Sequence, residues 1–362
     1  MVRSGMVLVV AFLVGFAGSA LAQSLSVCNY VSPESKFSSL SLGGNYNQFN
    51  DRYKDNSGNS SSGNLALRGQ LWEDGPEWGY RVEGSARVRL SGMNAAFDYT
   101  LDSTGQMRRY LSQDIFAFGG FNSAGVPGQS GLTVDAVAGA GWGRFRDVAP
   151  LAKALKINDI LQNMKVISQS LSDEKITELA QTIGKQRELG LEGVMKAIEQ
   201  SLGTSLNVGA VLALQETLMT SPSRFCGMDV SVSVGYNIIN PKGQNSVVLT
   251  AKANYAKAFS PSTEVVANAT WRTPVPMSVS TLDATISLHH ALTETIGELS
   301  MTYSYHHIQE PNSMKELHTA DFMIRMQLQA SMSVAFSLQA SLGTGYEEPE
   351  WNFDVSFKYD LF

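Results

Sequence analysis

Charged side chains recur at every second position in the stretch Y-R-V-E-G-S-A-R-V-R-L, residues 80–90. Arg81, Glu83, Arg87 and Arg89 share one parity with Ser85, while Tyr80, Val82, Ala86, Val88 and Leu90 take the other. Successive side chains along a strand point to opposite faces, so this pattern gives a strand with one charged and one apolar face. Arg68 sits at the same parity within the preceding alternating run, and acidic groups arrive late in the chain as Asp283, Glu298, Asp321 and Asp354. If the last strand closes against the first, charges of opposite sign face one interior. In a wide, water-filled interior they set up a transverse field that orients polar solutes. In a narrow one they pair into a structural salt-bridge network with no pore. The sequence leaves both readings open.

Five histidines, His289, His290, His306, His307 and His318, lie on or beside three late strands, with Ser287, Ser304 and Glu298 nearby by alternation. A His–Ser–acid group is what a lipid-modifying hydrolase needs. Such an enzyme carries its nucleophile on the lipid side, whereas alternation turns these serines inward. There is no G-x-S-x-G, no H-E-x-x-H and no metal-ligand spacing. The glycines of Gly139-Ala140-Gly141-Trp142-Gly143 lack the Lys-Ser/Thr that a phosphate loop requires. The expectation is therefore no catalytic residue, no metal and no cofactor, with hydrolase the third-ranked function.

Composition narrows the classes further. Charged residues make up 17% of the chain and hydrophobic residues 43%, and there are 32 glycines, a balance that suits strands and turns. The net charge of -6 offers no basic footprint for nucleic acid. Two cysteines, Cys28 and Cys226, are either one disulfide or two unrelated thiols.

The elements that must position these groups begin after an address. Arg3, the apolar run 6–16 and Ala20-Leu21-Ala22 make a secretory signal peptide over residues 1–22, cleaved before Gln23. Alternating runs of about 9–11 residues, the length a tilted strand needs to cross a hydrocarbon layer, then recur about fourteen times. They occupy 23–144 and 224–362. The last is W-N-F-D-V-S-F-K-Y-D-L-F, with Trp351, Phe353, Val355, Phe357 and Tyr359 on one face and Phe362 at the end. Tyr46, Tyr80, Trp142, Trp271 and Trp351 stand near strand ends, where interfacial girdles fall. Longer polar connections are expected at 50–64, 122–131, 308–317 and 343–350, all on one side by the strand count. The exception is 145–223, where apolar residues recur at three and four, Pro150 opens a helix and Ser172-Asp173-Glu174 starts another. This helical insert falls between the sixth and seventh strands on the periplasmic side. A plug, a periplasmic docking module and a structural cap fit it equally. Cys226 follows it on the same side as Cys28.

Export signal, alternating strands and terminal aromatic together resemble bacterial outer-membrane β-barrels, and the interior charges resemble the constriction of general porins. The junction running from Gly141 through Arg144, Phe145 and Arg146 to Pro150 and Leu155 resembles that of uncharacterised exported barrels with a periplasmic helical insert. The resemblance implies an all-β transmembrane antiparallel barrel in the outer membrane of a Gram-negative-type envelope. It implies outer-membrane lipid and the barrel assembly machinery as partners, the latter through the closing strand, and leaves room for a periplasmic partner of the insert. Porin-like passage of small polar solutes is the leading function, and a closed barrel with a structural or docking role the alternative.

Overall fold

Alternation runs through nearly all of the strand backbone. A computed structural model describes residues 26–30, 35–50, 59–91, 96–125, 132–220, 223–240, 246–293, 297–329, 332–345 and 348–360. The expected leader and Phe362 lie outside the described residues. The strands are β1 (Ser35–Asn50), β2 (Asn59–Asp74), β3 (Trp78–Ser91), β4 (Ala96–Tyr110), β5 (Ile115–Gly125), β6 (Leu132–Asp147) and β7 (Phe225–Ile239). They continue as β8 (Val247–Ala258), β9 (Thr263–Val275), β10 (Ser280–Thr293), β11 (Gly297–Glu310), β12 (Ser313–Gln329), β13 (Met332–Gly343) and β14 (Glu350–Asp360). Each pairs antiparallel with its sequence neighbours, and β14 returns to pair with β1, so the sheet closes into a 14-stranded barrel with no free edge.

The closing seam is tightly packed at one small residue. Leu42 pairs with Tyr359 and Gly44 with Phe357, and a Cβ on Gly44 would stand 3.0 Å from the Phe357 ring. A side chain there would require the Phe357 ring and the β2 backbone to give by a few tenths of an ångström. Within the wall, a Cβ on Gly141 would meet the Phe116 ring at 2.4 Å, so the β6 glycine makes the space that a β5 aromatic fills.

The outward face is predominantly apolar. Trp351 is 68% exposed, Phe353 and Val232 63% each, and Val82, Val230, Leu338 and Phe357 are exposed beside them. The inward face carries the polar parity with a few aromatic exceptions such as Phe116, and the main buried apolar cluster lies in the insert.

The strands run longer than expected, from 11 residues in β5 and β14 to 17 in β12. Three expected connections shrink as a result: β2 already begins at Asn59 within 50–64, β5 runs to Gly125 within 122–131, and the third is lost almost entirely. The stretch 308–317 is no long connection, because β11 extends to Glu310 and β12 begins at Ser313. Its polar side chains, which read as loop, satisfy one another across the turn, with Ser313 Oγ donating to Glu310 Oε2 at 2.5 Å. Likewise β6 continues through Asp147, taking the first three residues of the expected insert.

The insert folds as α1 (Ala149–Asn163), α2 (Asp173–Gly184), α3 (Gln186–Leu202) and α4 (Val208–Thr220). Pro150 sits in the first turn of α1, where a missing N–H costs nothing. Ser172 caps α2 by accepting from the Lys175 N–H, and left-handed Gly203 (φ 65°) ends α3. The helices bury Leu151, Ile157, Leu161, Leu179, Ile198, Leu214 and Leu218 against one another. Val27 and Tyr30 from the chain before β1, with Cys226 of β7 and Ala258 of β8, belong to the same core. The bundle is therefore docked on the strand ends. Cys28 and Cys226 form a disulfide with Cα atoms 5.4 Å apart, tying residues 198 apart in sequence at that site. Among the described residues no helix side chain lines the luminal cavities described below, and the bundle core meets the barrel at strand-end residues Cys226 and Ala258.

Candidate functional site

The register fixes which side chains meet inside. Arg68 pairs with Ser41 and Ser85, Arg81 with Trp72 and Gln106, and Glu83 with Gln70 and Thr104. These positions face three joined cavities of about 810, 220 and 370 Å³. Arg81 borders all three, so the cavities meet at its side chain.

The largest cavity brings together Arg68, Arg81, Glu83 and Asp354 from the expected set, with Asp102, Arg325 and Lys358 beside them. Arg81 and Glu83 are paired directly, and Gln70 Nε2 also donates to Glu83 at 2.9 Å. Glu298 lines the third cavity, where it meets His289 at 3.2 Å and Arg325 at 3.5 Å. Asp283 pairs with His306 on the inward face of β10 and β11. Asp321 faces inward opposite Thr302 and Gln339, outside the three cavities. Arg87 and Arg89 keep the parity of Arg81 but lie nearer the far rim and line none of the three. The structure thus gathers part of the expected set and separates the rest. Most of the gathered acids already hold a cation.

The hydrolase arrangement does not assemble among these groups. Ser287 Oγ lies 2.9 Å from Thr302 Oγ1, and His289 and His306 take acids as partners. His307 and His318 are turned to the outside, where the Tyr305 hydroxyl meets His307 at 3.2 Å and the Tyr303 hydroxyl meets His318 at 2.6 Å.

At the insert end, side chains cross the lumen. Trp72 of β2 meets Phe225 of β7 edge-on at 5.8 Å, and Phe225 stacks on Phe145 at 5.4 Å. Beneath them Arg224, 1% exposed, donates to the Ser262 carbonyl at 3.1 Å and lies 3.9 Å from Glu264. Glu264 in turn accepts from the Phe225 N–H at 2.6 Å. A rim cluster stands nearby: Tyr110 donates to Asp74 at 2.7 Å, and the Arg144 guanidinium lies 3.7 Å over the Tyr110 ring.

Sequence reasoning missed most of the cations around the small cavity. Arg108 and Asp229 bind each other across the interior at 2.7 Å, and Lys252 and Arg272 face the same small cavity. Three of the four fall just beyond where alternating apolar residues stop: β4 continues nine residues past Leu101, β9 four past Trp271, and β7 begins five before Val230. Lys252 sat inside a recognised run, and its parity with Asn254 and Thr250 was the available signal.

No protein-family model matches this chain, and no curated protein matches it. Solved structures are similar at low identity. A BenF-like porin from Pseudomonas fluorescens Pf-5 has a TM-score of 0.38 and 6% identity, over 92% of this chain and 99% of that one. Pseudomonas aeruginosa OccK2 (OpdF) has a TM-score of 0.38 and 7% identity, over 91% and 100%. Salmonella typhi OmpF in complex with daunomycin has 0.37 and 6%, over 92% and 99%. Likeness at this level transfers no residue role and no activity. The class its own coordinates define is a closed antiparallel barrel, apolar outside and charged within.

Proposed function

We propose that the chain is an outer-membrane channel for passive passage of small polar solutes. The observation that carries this is the inversion of the barrel: an exposed apolar face surrounds a polar interior of joined cavities. An apolar band of this extent in water would drive association, whereas in lipid it is satisfied. A closed barrel leaves no unpaired strand edge in the hydrocarbon, and no described helix is long and apolar enough to span. Outer-membrane lipid is the proposed partner of the outer face. The barrel assembly machinery is the proposed partner of β14, whose Phe357 packs where the closing seam forms.

The alternative, a closed barrel with a structural or docking role, is favoured by the Trp72–Phe225–Phe145 bridge at the insert end. Reconstitution of the full chain into planar bilayers separates the two. Discrete open-channel currents support passage, and larger unit currents from Trp72→Ala with Phe225→Ala would assign the bridge as the narrow point. A tight bilayer containing folded protein, unchanged by that pair of substitutions, rules the channel out in favour of the closed barrel.

A further inference from the structure

We propose that the small luminal chamber beside Arg81 holds a binding site for a small oxyanion, a carboxylate or inorganic phosphate, whose free ligands are Lys252 and Arg272. This names the solute class of the proposed channel and rests on that reading for passage, although binding is measurable without it.

The chamber of about 220 Å³ has two facing walls. Arg81 and Arg108 come from β3 and β4, and Lys252 and Arg272 from β8 and β9. Lys252 pairs with Thr270 and Arg272 with Thr250, which makes the two cations diagonal neighbours on one inward face. Two acids share the chamber region, and both are committed. Asp229, 2% exposed, accepts from Arg108 through one oxygen at 2.7 Å and from Asn254 through the other at 2.5 Å. Glu83 is held by Arg81 and Gln70. Among the described residues no carboxylate lies within ion-pair distance of Lys252 or Arg272, so the four cations exceed the two acids by two charges.

Like charges confined between protein walls repel with less screening than at an open surface. An anion between them relieves that repulsion, and the small chamber limits what fits. At about 30 Å³ per water it holds roughly seven waters, room for a phosphate or a short carboxylate. The planar guanidinium of Arg272 favours an oxyanion over a halide, because its paired N–H groups match two oxygens of one centre. The Thr250 and Thr270 hydroxyls add neutral donors on the same wall.

The test uses the full chain in detergent, titrated calorimetrically with inorganic phosphate and with acetate against a chloride background, and the same protein in planar bilayers. The expected result is saturable phosphate binding that weakens about tenfold or more in Lys252→Gln with Arg272→Gln, since each lost charge-assisted bond is of that order. The charge-matched control, Lys175→Gln with Lys196→Gln on the exposed faces of α2 and α3, keeps wild-type affinity. In bilayers, phosphate reduces chloride current through wild type and not through the luminal double variant. Binding without any current leaves the site standing and removes the channel. Current with no phosphate binding, or with binding equal in the luminal variant and the control, overturns the site while the channel stands.

Discussion

The barrel and the helical insert solve the same problem in opposite directions. The bundle turns Leu161, Ile157 and Leu214 inward, each fully buried, and leaves Lys175, Glu174 and Lys196 to water. The barrel turns Val232, Phe353 and Leu338 outward and gathers Arg81, Lys252 and Asp229 inside. Both regions belong to one chain, so composition does not explain the contrast. The period of the pattern decides the element, and the medium against each face decides which parity is apolar. The seam between the two solutions is the strand end at Cys226, where the disulfide and the bundle core meet the barrel wall.

Four measurements sharpen the contrast, from the largest effect down. Leu161→Ala empties a fully buried site in the bundle and costs the insert about 3–5 kcal/mol, read as earlier loss of helical circular dichroism while the barrel signal holds. Val232→Arg, at the middle of β7 on the outward face, costs about 2–4 kcal/mol in urea titrations of the lipid-reconstituted protein. Leu212→Arg on α4 is the matched comparison. Leu212 is 61% exposed against 63% for Val232, yet in water the change stays within about 0.5 kcal/mol. Equal costs at the two positions would mean that both face the same medium.

The effect at the α2 cap is smaller than at Leu161 or Val232. Ser172→Ala removes a side-chain acceptor and costs about 1 kcal/mol. The Glu174 carboxyl is held below the usual range by its own backbone N–H and by the Ser172 hydroxyl. A depressed folded value means that this contribution is present above the ordinary carboxylate pKa of about 4.5 and is lost as pH falls through the folded value. The wild-type insert should lose stability on acidification below that point, and Ser172→Ala should flatten the slope. Lys153 in α1 runs the other way. Burial lowers its pKa, with Asp147 opposing and Lys156 adding to the shift, so the unfolded chain holds its proton to higher pH and stability rises with pH up to the ordinary lysine range.

Strand parity was legible because a membrane barrel keeps the two-residue period strictly: every wrong-face charge would sit in lipid. Hence Arg68, Arg81, Glu83 and Asp354 could be placed on one interior from sequence, and β14 on β1. Strand ends were not legible, since beyond the hydrocarbon both faces are wet and the alternation fades. That is why 308–317 read as a loop, and why Arg108, Asp229 and Arg272 went unnoticed. Ion pairing was hidden for a different reason. Which acid takes which cation depends on reach across the lumen, as between Arg108 on β4 and Asp229 on β7, and on no local spacing. The disulfide was one of two readings until the insert placed its partners 5.4 Å apart.

The medium outside the barrel is best tested by adjacent positions on the closing strand. Phe353→Cys and Asp354→Cys, each carrying a spin label in lipid-reconstituted protein, report outward and inward environments one residue apart. The expected result is strong relaxation by dissolved oxygen at 353 and by a water-soluble nickel chelate at 354. Comparable access of the chelate to both would mean that water, not lipid, covers the apolar face.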